Sequence, residues 1–294
     1  MKRFLQDLVG FFGGLLVCIA VVCLFNALTA SLNAPEVDGR ILIVGDSHTR
    51  NALDPVVLGS ATNVSQYAEP YYVSYWKLKR LLEGSPVRTV ILGFGHHNIA
   101  AFNNRKLSDD TWSTELFRRT YMFPEISSIK GIQVDRPGLL RARIRNLVLT
   151  PKWRHDSYMG RFENWNRSDL TDTDEAITRQ FLRDGASLSD VELTYLDSIV
   201  TLTAQEKVDL ILVATPVHTT YYSRIPDYFI SEFEAIQSEM EVKGVRVWDF
   251  SLLDAADDEF LNVSHLNASG ASRFSRLVSE LIDDSSGLVR TDGS

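Results

Sequence analysis

The residues able to do chemistry in this sequence are few and lie far apart. The apolar run Ile41-Leu42-Ile43-Val44 ends on Gly45-Asp46-Ser47-His48. A β-branched run of this kind reads as a buried parallel strand whose C-terminal end delivers side chains into a crevice. Ligands of open α/β sheets sit there, which makes Ser47 the candidate nucleophile. A serine hydroxyl is a weak nucleophile until a base within hydrogen-bond reach takes its proton. Histidine is the usual base, because its pKa lies near neutrality. The chain has six histidines, and His265 has the most informative setting, a polar stretch from Phe260 to Ala271. That stretch reads as a loop before the final helix, able to reach the same rim of the sheet as Ser47. His48 is either a second base or a residue of the rim. His218 follows Thr215-Pro216-Val217 and reads either as a substrate contact lining the crevice or as a satisfied loop histidine. His96 and His97 are adjacent, and adjacent histidines rarely converge on one ion without further ligands. No metal is expected there.

The elements that must position these residues alternate between strand and helix. Strands are predicted at Ile41–Val44, Thr62–Ser65, Thr89–Leu92, Val208–Ala214 and Val245–Asp249. A helix opens near Glu69-Pro70, where proline at an early helical position costs nothing, and stops near Gly84. Ser189 with Glu192 has the spacing of a capping box. Phe229, Phe233, Ile236 and Met240 share one helical face, as do Phe274, Leu277, Val278 and Leu281. Strand and helix in this order predict an α/β fold, a three-layer α/β/α arrangement around a mostly parallel, flavodoxin-like sheet. Residues 101–187 break the pattern. They mix basic helical pieces, including Arg141, Arg143 and Arg145, with loops around Trp153, Tyr158 and Trp165. They read as an insertion, whose aromatics are placed to cover the crevice as a lid.

Composition is that of a globular protein of 294 residues, 45% hydrophobic and 23% charged. A net charge of −8 argues against a nucleic-acid partner, which needs clustered Lys and Arg. Neither zinc-type Cys/His spacing nor a phosphate-loop glycine pattern is present, so no cofactor is expected. Leu8 to Ala34 carries no charge, and about 20 apolar residues suffice to cross a bilayer. Lys2 and Arg3 precede it and Glu36 and Asp38 follow. The positive-inside rule then predicts a single-pass protein of the cytoplasmic membrane with its N-terminus inside. Residues 1–35 form the cytoplasmic tip and anchor, with residues 8–32 in the membrane, and residues 36–294 an extracytoplasmic domain. A cleaved signal peptide would have an apolar core of only about 7–15 residues, so an uncleaved anchor is expected. Both cysteines, Cys18 and Cys23, fall inside this segment, so no disulfide is expected in the exported domain.

Gly45-Asp46-Ser47 after a first strand, with His265 in a loop before the last helix, resembles the SGNH hydrolase superfamily. Gly45 to Thr49, and His265-Leu266-Asn267 followed by Gly270-Ala271, are more similar to its membrane-anchored, cell-envelope branch. That branch includes proteins of exopolysaccharide O-acetylation and teichoic-acid D-alanylation. The resemblance covers the first three strands and the C-terminal fifty residues or so. It implies Ser47 as nucleophile and His265 as general base. The family's second block supplies an oxyanion-hole N–H from a glycine; the matching stretch here, Asn63 to Ala68, contains Ser65 and Ala68 and no glycine. The third block matches Gly95-His96-His97-Asn98, which makes Asn98 or His97 the implied side-chain donor. Donors of this kind are each worth roughly 3–4 kcal/mol. Where the family has a triad aspartate this chain has Asn262. An asparagine oxygen can orient an imidazole but cannot stabilise its charge, and in serine proteases that exchange lowers turnover about 10⁴-fold. Asp46, Asp257 and Asp258 are other carboxylates within reach of recruitment.

The expected function is therefore a membrane-anchored esterase or O-acyltransferase acting on acyl esters, acetyl above all, of a cell-surface glycan, with a membrane acyltransferase as a partner. The rival is a catalytically silent partner or scaffold within a polysaccharide biosynthesis or modification complex, which Asn262 favours. A third reading, a secreted lipase-like esterase, would need a long apolar acyl groove.

Overall fold

The computed structural model describes residues 1–32, 35–149, 159–171, 173–183 and 185–288; Trp153 and Tyr158 of the insertion lie outside them. The chain opens with α1 (Lys2–Leu32), a helix long and apolar enough to cross a membrane. Its last turns are not bare. Asn26 and Ala30 are buried, and Asn26 Nδ2 donates to the Leu147 carbonyl at 3.0 Å.

The domain that follows is built on β1 (Ile41–Val44), β2 (Ala61–Asn63), β3 (Thr89–Gly93), β4 (Asp209–Ala214) and β5 (Arg246–Asp249). They form one sheet in the order β2-β1-β3-β4-β5, and every neighbouring pair is parallel. Around it lie α2 (Ser47–Ala52), α3 (Tyr71–Leu81), α4 (Asp110–Thr120), α5 (Arg136–Ile144), α6 (Thr173–Ile177), α7 (Asp190–Glu206), α8 (Thr219–Tyr222), α9 (Asp227–Val242) and α10 (Ala268–Leu288). Alternate residues of a strand face opposite sides, and the two sides have separate cores. Leu42, Val44, Val90, Leu92 and Leu212 pack with Leu78 of α3, Leu196 and Ile199 of α7 and Phe229 and Phe233 of α9. Ile43, Ile91, Ile211 and Val213 pack with Ala52 of α2 and Phe274 and Val278 of α10. The result is a three-layer α/β/α fold. Its strand order reverses between β1 and β3, and the crevice beyond their carboxyl ends is where such sheets bind ligands.

Strands 41–44, 89–93, 209–214 and 246–249 fall within a residue of their predicted bounds. Three local expectations are corrected. The second strand ends at Asn63, where the Asn63 side chain turns the backbone, its Oδ1 accepting from Ser65 N at 2.9 Å and its Nδ2 donating to Leu53 O at 2.8 Å. The polar stretch 260–271 is not a loop. It forms a hairpin of β6 (Phe260–Asn262) and β7 (His265–Leu266), and α10 begins at Ala268, with Asn267 Oδ1 accepting from Ser269 N and Gly270 N. At Ser189 only half of the capping box exists. Its hydroxyl accepts from Glu192 N, but the Glu192 carboxylate turns inward to accept from Tyr71 N at 2.6 Å. The segment 101–187 contributes Phe102, Leu107, Phe117, Phe123, Leu139 and Phe181 to the larger core. An antiparallel bridge pairs Ala100 with Leu188 at its two ends.

Candidate active site

The site grows from the turn after β1. Gly45 has φ +153°, in the range that side chains avoid, and a Cβ there would meet Thr49 Oγ1 at 2.6 Å. This turn lets Asp46 cap α2, its Oδ1 accepting from His48 N at 3.0 Å. Ser47 becomes the first residue of α2, with its side chain at the rim of the sheet.

The β6–β7 hairpin brings the base. His265 Nε2 lies 2.8 Å from Ser47 Oγ, and His265 Nδ1 lies 2.8 Å from Asn262 Oδ1. Asn262 is itself fixed by its own turn, since Oδ1 also accepts from Ser264 N at 3.1 Å. Ser264 Oγ is a second neighbour of Nδ1, at 3.1 Å. With Nδ1–H donated to Asn262, Nε2 carries the lone pair facing the serine, the tautomer that a general base requires. Burial pushes the His265 imidazole down to about 4, despite the opposing charge of Asp46. The base is therefore neutral, and available, through the whole neutral range.

Asp46 does not touch His265. Its Oδ2 accepts from His97 Nε2 at 2.6 Å and from Asn98 Nδ2 at 3.1 Å. Burial alone would raise this carboxyl, but His97 beside it holds it well below the usual carboxylate range. His48 is buried and lines the same cavity as Ser47. Its ring stacks on His97, with centroids 3.9 Å apart, and lies 4.5 Å from that of His265. Burial drives its pKa well below normal, with His97 adding to the effect. Asp257 and Asp258 serve elsewhere: the Asp257 carboxylate pairs with His218 at 3.1 Å, and the Asp258 carbonyl accepts from Asn267.

Two backbone donors at the cavity, the N–H groups of Ser47 and Ala68, have no acceptor among the described residues. Ala68 has φ +58°, a left-handed conformation that glycine favours. The backbone thus adopts a glycine-like turn in the very stretch that lacks a glycine. The next residue holds that turn in place. Glu69 pairs with Lys77 of α3 in a fully buried contact and accepts from Ser74 Oγ at 2.7 Å, while Lys77 Nζ also donates to Val64 O at 2.7 Å. Burial raises the Glu69 carboxyl to about 7 in spite of Lys77.

Ser47, His265, His97 and Ala68 share one narrow cavity of about 30 Å³. Asn98 does not line it. Its side chain is taken by Asp46 and by Gly95 N, which donates to Asn98 Oδ1 at 2.7 Å. Ser65 is fully buried behind the cavity, with only its backbone engaged. His218 lines a different cavity, of about 290 Å³, with Leu252 and Asp257. There it caps α8 and supports the hairpin edge-on through Phe260, centroids 5.3 Å apart. The Ser47 cavity is also lined by residues that no motif or periodicity singled out: Phe102, Lys106, Trp112, Arg179 and Gln180. All lie in the insertion, and only its wealth of basic and aromatic side chains hinted at them. Among the described residues no cluster of three or more His, Cys, Asp or Glu is placed to hold a metal ion.

No family model matches the sequence, and no curated protein matches it. Among solved structures the chain is similar to one described as a platelet activating factor from Streptococcus pneumonia, at 14% identity and a TM-score of 0.43, covering 94% of this chain and 98% of that one. It is similar to the lipase/acylhydrolase from Enterococcus faecalis at 14% identity and a TM-score of 0.40, covering 83% of this chain and 95% of that one. A third similar structure is described as a lipolytic protein of the G-D-S-L family from Desulfitobacterium hafniense, at 13% identity and a TM-score of 0.40, covering 82% and 97%.

Proposed function

We propose that this chain is an SGNH-like serine esterase or O-acyltransferase, held at the cytoplasmic membrane by α1 with its domain outside, acting on acetyl esters of a cell-surface glycan. One observation carries the reading: Ser47 Oγ, His265 and Asn262 form a continuous hydrogen-bonded relay with 2.8 Å at each step. Ser47 Oγ attacks the acyl carbon while His265 Nε2 takes the hydroxyl proton. The carbonyl oxygen, now negative, is met by the free N–H groups of Ser47 and Ala68. The bond to the leaving alcohol breaks, and His265 returns the proton to that oxygen. Water, or a second sugar hydroxyl, then attacks the acyl-serine with His265 again as base. The anchor and the likeness of its motifs to the envelope branch favour a glycan at the membrane surface, with a membrane acyltransferase as partner.

The test is labelling with a fluorophosphonate together with turnover of p-nitrophenyl acetate. The native chain is expected to label and turn over. Ser47→Ala is expected to do neither, with turnover falling about 10³-fold or more. Turnover that survives the substitution removes Ser47 from the mechanism. A second reading, a silent partner within a polysaccharide-modifying complex, is favoured by one specific observation. Asn262 carries no charge to stabilise an imidazolium, and Asp46, the carboxylate near enough to help, is already bound to His97. An intact, folded chain that neither labels nor turns over any ester would establish that reading.

A further inference from the structure

The wall of the Ser47 cavity opposite the catalytic pair is cationic. Lys106 is only 2% exposed, yet its Nζ makes no hydrogen bond or ion pair among the described residues. The ammonium sits 4.6 Å from the centroid of the Phe102 ring and 6.0 Å from that of Trp112. Arg179 lines the same cavity, its guanidinium 5.6 Å from the Trp112 centroid. Its Nε is buried without a partner, and one terminal nitrogen meets the exposed Glu175 at 3.1 Å.

A buried ammonium is costly unless paired, and among the described residues no carboxylate hydrogen-bonds to Lys106. Asp46 accepts from His97 and Asn98, Glu69 is paired with Lys77, and Glu192 accepts from Tyr71 N through one oxygen and leaves the other without a partner. Burial lowers Lys106 and raises Glu192, while the charges of Asp46, Glu192 and Glu69 oppose the shift at Lys106. Two cations thus line a narrow space with Ser47, Lys106 without a hydrogen-bonding partner among the described residues and Arg179 paired only with the exposed Glu175. The aromatic rings of Phe102 and Trp112 lie against them.

We propose that the Ser47 cavity selects an ester bearing an acid group, a carboxylate or a phosphate, which Lys106 and Arg179 bind beside the reacting carbonyl. The proposal rests on the esterase reading and names its substrate class. The space among these residues is narrow, about 30 Å³, and partly open to solvent. Lys106 and Arg179 are specificity residues in this scheme, and Ser47 and His265 do the chemistry.

The test uses the full chain in detergent and two neutral esters, p-nitrophenyl acetate and phenyl acetate. Their anionic counterparts are mono-p-nitrophenyl succinate, with the acid on the acyl half, and 4-acetoxybenzoate, with the acid on the alcohol half. For at least one pair, kcat/KM is expected to favour the anionic ester by about tenfold or more. In Lys106→Met that preference should collapse, mainly through KM, and Arg179→Gln should weaken it in the same direction. A separate arm needs no turnover. Calorimetry on Ser47→Ala is expected to show binding of succinate or inorganic phosphate that Lys106→Met abolishes in the same background, and the stronger of the two tells carboxylate from phosphate. Turnover with no anionic preference, or an equal loss on neutral and anionic esters in Lys106→Met, overturns this proposal and leaves the esterase reading intact. Anion binding without any turnover does the reverse. Should Lys106→Met not fold, as judged by its melting curve, Arg179→Gln decides by the same ratio.

Discussion

At the scale of single residues, the neutral His265 and the uncharged Asn262 govern how this site responds to pH. The acid limb of kcat/KM reports the free base, so with His265 at about 4 that limb is expected near 4 rather than near 6.5. A pH profile on p-nitrophenyl acetate measures it directly. Stability carries the opposite signature. His265 and His96 are both held at about 4 by burial, and His48 lies well below its normal value. The unfolded chain therefore takes up their protons first. The stability these groups supply is complete above about 6.5 and is lost as pH falls from there towards 4; melting temperatures across that window test it. Asn262→Asp places a carboxylate on Nδ1. It is expected to raise the pKa of His265, move the acid limb upward and increase turnover at neutral pH by about tenfold or more. An unchanged limb would show that the residue at 262 only positions the ring. Ser47 was legible in the sequence because it follows the apolar run of β1, His265 because its polar stretch precedes the last helix, and Asn262 only through the family resemblance. Lys106 and Arg179 were not, because no periodicity links a side chain of the insertion to the rim of the sheet.

At the scale of elements, the turn that presents the Ala68 N–H depends on α3 behind it. The Glu69–Lys77 pair ties the residue after that turn to the middle of the helix, with both side chains fully buried. Removing Lys77 leaves Glu69 buried without its partner, a loss that must be met by taking up a proton, so breaking the pair costs up to roughly 3–5 kcal/mol. Lys77→Met is therefore expected to lower stability by that order, and Glu69→Gln with Lys77→Met by less than the single change. Urea unfolding of the three chains checks both statements. β1, β3 and β4 could be read from sequence because parallel strands covered on both faces appear as apolar runs, and the edge strand β5 because its short run follows the Gly244 that ends the preceding helix. The β6–β7 hairpin could not. Its strands are three and two residues long, too short for alternation to show, and its turn is set by Asn262, whose side chain also serves His265. The Glu192 capping box failed for a related reason, since burial against Tyr71 offered its carboxylate a better donor than its own helix end.

At the scale of the molecule, α1 and the domain are separate in sequence but touch in space. As a membrane anchor, α1 is expected to keep the chain in the membrane fraction through an alkaline carbonate wash, and removal of residues 1–32 to release it. Release of the intact chain by carbonate would contradict the anchor. The stretch between Leu32 and Ile41 would on its own let the domain swing through some 30 Å, at about 3.3 Å per extended residue. The bond from Asn26 to the Leu147 carbonyl takes up that slack. Residues 145–149 continue α5, α5 packs on α4, and α4 carries Trp112 into the reaction chamber. A continuous chain of contacts therefore joins α1, through residues 145–149, α5 and α4, to the Trp112 wall of the Ser47 cavity, so a displacement of α1 would be felt first at that wall.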